Sequence, residues 1–114
     1  MIPGTVYTLE RDGEALGTLT VTGADPIATL ADFQPTPAFT PYRDLFNEEA
    51  LLSGKLARDA STALMVEAEA ALERILALKL ALRRAGDVGY RAVLISIESD
   101  RASFRPLNPE EEPL

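Results

Sequence analysis

"KLARDASTALMVEAEAALERILALKLALRRA", residues 55–85, decides the fold, because its reading fixes how much chain is left to build a sheet. The stretch is rich in Ala, Leu, Glu and Arg, which lose little freedom on entering a helix. Read as one long helix, it stops at Gly86, a glycine C-cap behind the basic Arg83 and Arg84. Asp59 or Ser61 could cap it afresh near its start. Leu64, Ala68, Ala71, Ile75, Leu78 and Leu82 then share one stripe, widened by Leu72 and Leu76. Ala63, Val66, Ala70, Ala77 and Leu80 form a second stripe, interrupted by Glu73. A helix apolar on two sides is covered twice. The sheet takes the Leu/Ile stripe, and the first helix or a second subunit takes the small-residue stripe, the candidate interaction surface.

Before this helix, Thr40 reads as an N-cap, Pro41 as a first-turn proline and Asp44 as a favourable charge at the helix start. Tyr42, Leu45, Phe46 and Leu52 recur at helical spacing up to Ser53-Gly54. The preceding segment "ADFQPTPAFTPYRDLF", residues 31–46, has prolines at 35, 37 and 41, so it lacks the PxxP spacing of a displayed polyproline ligand. Its aromatics Phe33, Phe39, Tyr42 and Phe46 are expected to plug the seam between sheet and first helix.

The strands lie on either side. "TVYTLER" (5–11) and "EALGTLTVT" (14–22) flank Asp12-Gly13, a pair suited to a type I′ turn that would set Leu9 opposite Leu16 and Tyr7 opposite Thr18. Gly23 to Pro26 reads as a turn, and 27–33 as a third strand of mediocre propensity. "YRAVLISIES" (90–99) is the strongest strand, with Val93, Ile95 and Ile97 on one face and Ala92 and Leu94 on the other, as in a central strand. A turn at Asp100-Arg101 would put Phe104 opposite Ile97. The expected fold is α+β: an antiparallel sheet of four or five strands, in the order ββ(β)ααββ, covered on one face by a short and a long helix. Residues 1–106 make one domain, and 107–114 a disordered acidic tail.

Composition excludes several chemistries. The 114 residues include no cysteine and no histidine, so the chain offers no thiolate, no disulfide and no Ser-His-Asp triad. The net charge is −7, with 11 basic against 18 acidic residues, the wrong balance for a phosphate backbone. No basic region precedes an apolar core at the start, and "RILALKLALRR" is too short to span a bilayer, so a cytoplasmic location is expected.

Glu48-Glu49 on the first helix and Glu67, Glu69 and Glu73 on the second could hold a divalent cation. No Gly-rich phosphate loop or Asp-x-Asp loop accompanies them, and a solvated acidic face is the better reading. Arg43, Arg101 and Arg105 could gather on an anion, although scattered pairing with acids is favoured. "GDVG" (86–89) follows a helix rather than a strand, and so is a helix stop rather than a dinucleotide fingerprint.

"LGTLTVTG" with Asp25 and Pro26, then "FQPTPAF", a helix carrying Leu45-Phe46 and a final "ISIESDRASFRP" together resemble a small bacterial protein family with no assigned activity. The likeness covers roughly residues 15–106 and implies a compact α+β domain, with no substrate, cofactor or site residue attached. From the residues themselves, the expected function is non-enzymatic. It is binding through protein contacts, as a self-associating subunit or as an acidic, inhibitor- or immunity-like partner of a basic protein. The alternative is a small carboxylate-based metal- or ligand-binding protein, up to a divalent-metal-dependent enzyme.

Overall fold

Asp12 and Gly13 take φ angles of 52° and 81°, the left-handed pair that a two-residue type I′ turn requires. They close a hairpin between β1 (Val6–Arg11) and β2 (Glu14–Ala24). The register differs from the expected one. A bulge at Leu9/Glu10 sets Leu9 opposite Gly17 and Tyr7 opposite Leu19. An extra residue on one strand turns both Leu16 and Leu19 inward, and both are fully buried. The structure, a computed structural model, describes residues 3–26, 28–84, 88–90 and 93–106.

β3 (Thr29–Pro35) pairs with β2, and Leu19 faces Phe33. Gly17 leaves room for that ring, since a Cβ there would stand 2.5 Å from Phe33 Cε1. A 3-10 turn over Pro37–Tyr42 leads into α1 (Arg43–Arg58). Helical winding therefore starts one turn before the expected Thr40 cap. The hydroxyl of Thr36 anchors the entry by donating to the Ala15 carbonyl at 2.7 Å. Phe33, Phe39 and Phe46 stack in sequence, with centroids 4.9 and 5.4 Å apart, and fill the seam between the sheet and α1. Tyr42 closes its rim, half-buried, with its hydroxyl accepting from Arg11 Nη1.

The single helix expected over 55–85 is instead two helices and a strand. α1 ends where Asp59 turns extended (φ −146°, ψ 98°), and Ser61 caps α2 (Thr62–Leu76) by accepting from the Leu64 N–H. α2 then stops at Lys79, whose φ is 54°, while the Leu78 and Lys79 N–H groups turn back to the carbonyls of Ile75 and Leu76. Beyond it, Leu80 and Leu82 leave the helix and enter the core at 3% and 0% exposure. The run Leu80-Ala81-Leu82-Arg83 alternates with the period of a strand inside a segment of high helix propensity, and burial on the sheet overrides that propensity.

The released residues build β4 (Ala81–Arg84), which pairs with β1 through Leu9 and Leu82, and then β5 (Val88–Tyr90). Arg83 Nε donates to Glu10 Oε2 at 3.0 Å across that pairing. β6 (Val93–Glu98) and β7 (Arg101–Pro106) complete the sheet. It has seven antiparallel strands in the order β5-β4-β1-β2-β3-β7-β6, curled into a half-barrel, rather than the four or five expected. The long stretch 90–99 is thus no central strand. Tyr90 and Val93 lie on opposite outer strands yet stand only three positions apart in the chain. Three residues reach at most about 11 Å, so the two outer strands approach each other there, and the sheet must curl.

The last turn is Ser99-Asp100, one residue earlier than expected, so Phe104 faces Ile95 and Ala102 faces Ile97. The core fills the inside of the half-barrel. α1 packs against α2, the 3-10 turn and β6, so the helices sit over the β6 end of the sheet. No helix among the described residues is long and apolar enough to cross a membrane. The Gly86 cap, the placement of Ala92 and the acidic tail at 107–114 lie outside the described residues.

Candidate functional site

Helical spacing puts Phe46, Glu49 and Ser53 on one face of α1, the face turned toward the sheet. Phe46 is fully buried, and Glu49, three residues on, is 5% exposed. Among the described residues Glu49 is the one buried charged side chain. Ser53 Oγ donates to Glu49 Oε2 at 2.5 Å, and Ser96 Oγ, on β6, donates to Oε1 at 2.6 Å. Neither ion pair among the described residues involves Glu49. A carboxylate oxygen has two lone pairs, so each oxygen retains capacity to accept from a further donor.

Ser96 reaches this position through strand alternation. Val93, Ile95 and Ile97 point into the core, and Leu94 and Ser96 alternate with them on the other face of β6. Ser96 is paired across the strands with Ser103 and Leu94 with Arg105, giving two rungs of one ladder. Over these rungs lies an open cleft of about 230 Å³, with Glu49 on one wall. Leu72 of α2, together with Leu94, makes it apolar, and Ser96, Ser103 and Arg105 supply its polar groups.

A second cleft, of about 220 Å³, adjoins Glu49 between the two helices. Leu56, Met65 and Ala68 line it, and it shares Glu49 and Leu72 with the first. The buried carboxylate is therefore a wall common to two small apolar hollows. Burying a charge is costly unless it is paired or well hydrogen-bonded, and here only two hydroxyls offset the cost.

The residues proposed from sequence are dispersed. Ala63, Val66 and Ala70 are exposed on the outer side of α2, and Ala77 is exposed at its C-terminal cap. Leu80 lies apart from them, buried behind the Lys79 turn. Glu67, Glu69 and Glu73 are all exposed on α2, and Glu69 reaches the rim of the second cleft. No group of three or more His, Cys, Asp or Glu side chains that could hold a metal ion occurs among the described residues. Glu48 and Glu49 diverge: Glu48 pairs with Arg74 on the surface at 3.0 Å, while its neighbour is buried. Of the three arginines, Arg43 reaches the turn that precedes Arg101, and Arg105 stands apart from that turn at the other end of β7. Arg43 donates to the Ser99 carbonyl and lies over the Phe39 ring, and Arg105 lines the first cleft.

Sequence reasoning missed Ser53, Ser96 and Ser103. One signal was present: Glu49 stands at i+3 from Phe46, on the apolar side of a helix that has polar positions to spare. Ser96 and Ser103 became legible only once the register of the last hairpin paired them.

In comparisons with protein-family models, curated proteins and solved structures, the chain matches none. The motif likeness to a bacterial family therefore carries no argument, and the site rests on its own geometry.

Proposed function

We propose that this protein binds a small molecule in the cleft between α2 and the β6–β7 ladder, with Glu49 as the anchoring group. The observation that carries the reading is the buried Glu49 carboxylate, which faces two apolar hollows with only hydroxyl partners. A preformed apolar cleft with a few convergent polar groups is the usual making of a ligand site. A cleft of about 230 Å³ is below the roughly 300–1,000 Å³ of drug-sized pockets, so the occupant has few heavy atoms. The test is a nitrogen-15 NMR titration with a panel of small amines, amino acids, carboxylic acids and alcohols. Binding moves the amides of Leu72, Ser96, Ser103 and Phe104 together. If no member of the panel moves them, the reading is wrong.

A second reading, self-association, draws on a different observation. Val66 and Met65 on α2 are 61% and 46% exposed, and the small side chains of Ala63 and Ala70 lie nearby on the same helix. Small residues let two helices approach closely, which favours a second copy of this chain as the occupant. Light scattering after size exclusion tests it directly. A strict monomer at about 50 μM, a concentration at which micromolar interfaces are filled, removes it.

A further inference from the structure

We infer that the ligand is a small zwitterion, an amino acid with a short aliphatic side chain, its ammonium on Glu49 and its carboxylate on Arg105. This rests on the cleft being the binding site. The cleft holds two charged side chains of opposite sign. Glu49 meets only the hydroxyls of Ser53 and Ser96. The Arg105 side chain makes no ion pair or hydrogen bond among the described residues.

The two charges do not neutralise each other, because the ladder holds them apart. Glu49 sits above the Ser96–Ser103 rung, and Arg105 belongs to the Leu94–Arg105 rung two residues along. Successive rungs on one face are about 7 Å apart. A ligand lying along the ladder with a cation at one end and an anion at the other meets both.

Each partner also suits its end. Glu49 and Ser96 present acceptor lone pairs to an ammonium, which has three donors and no acceptor. The planar guanidinium of Arg105 matches a carboxylate with two parallel N–H donors. Between them, Leu72 and Leu94 offer an apolar wall to an aliphatic side chain. A pure cation would be repelled at Arg105, and a pure anion at Glu49. The volume of about 230 Å³ suits a ligand of amino-acid size.

The experiment is calorimetric titration of the full chain with leucine, leucinamide and 4-methylpentanoate, repeated on Glu49→Gln and Arg105→Gln. Leucinamide lacks the carboxylate, and 4-methylpentanoate lacks the ammonium. Leucine is expected to bind tightest, each half-ligand being weaker by about tenfold or more, the worth of one charge-assisted contact. Glu49→Gln should lose leucine and leucinamide, and Arg105→Gln should weaken leucine to the level of leucinamide. Arg105 is exposed, so its variant keeps the fold whatever happens at Glu49. Equal affinity for leucine and either half-ligand, or unchanged leucine binding in Glu49→Gln, overturns the inference. If the amides of Ser96 and Ser103 respond to 4-methylpentanoate or an alcohol but not to leucine, the site stands and the zwitterion falls. If they respond to nothing, both fall.

Discussion

Ser96 Oγ, on an outer strand of the sheet, donates to Glu49 Oε1 on α1 at 2.6 Å, and this contact ties the helix to the face of β6 opposite the core. Ser96→Ala takes away one of two donors to a buried carboxylate. The expected cost is about 1–3 kcal/mol in urea unfolding, the penalty for leaving such a group short of a partner. Glu49→Gln behaves differently. Its amide can accept from one serine and donate to the other, and no buried charge remains, so its stability should equal or exceed that of the wild type. A binding residue kept at some cost to stability shows this signature. A Gln variant less stable by more than about 1 kcal/mol would mark Glu49 as structural.

Phe46 is fully buried against Phe39, with ring centroids 5.4 Å apart. Phe46→Ala should cost about 3–5 kcal/mol by chemical denaturation, the range for a large aromatic removed from a core. A loss of a few tenths would mean that the seam between α1 and the sheet is not where the core lies.

Lys79 holds a left-handed φ of 54° where α2 gives way to β4. A left-handed residue with a Cβ is strained by about 1–2 kcal/mol, and glycine relieves this while adding freedom to the unfolded chain. Lys79→Gly should therefore stabilise, by about 1 kcal/mol. In a continuous helix the same change would destabilise by about 1 kcal/mol. The sign of the shift in thermal unfolding separates the two architectures.

Gly89 lies beside Arg83 in the β4–β5 pairing, and a Cβ on it would collide with the Leu82 carbonyl oxygen. Gly89→Ala should cost about 1–3 kcal/mol, the usual penalty for overpacking. If "GDVG" were only a helix stop, an alanine at 89 would leave stability within about 0.5 kcal/mol.

What was legible in the sequence is what local chemistry determines. Asp12-Gly13 named its turn, Ser61 stood with Asp59 as one of two possible caps, and the phenylalanines of 33–46 named their seam. The β4 strand was hidden because Lys79, with no glycine to announce a stop, turns the chain in the left-handed region, and because Leu80 and Leu82 fit a helix stripe as well as a strand. The hairpin register was lost to a bulge that adds one residue without changing residue type. The site was half-visible. Glu49 stood out only as one of a pair of glutamates, and its partner Ser96 lies 47 positions away, a distance that no local pattern spans.

The central claim is that Glu49 anchors a ligand in the cleft over β6 and β7. The direct measurement is a leucine titration followed at the Ser96 and Ser103 amides in the wild type and in Glu49→Gln, side by side. Saturable shifts at both amides in the wild type and none in the variant are the predicted result. Equal shifts in the two proteins, or shifts confined to Val66 and Ala70 on the outer side of α2, would contradict it.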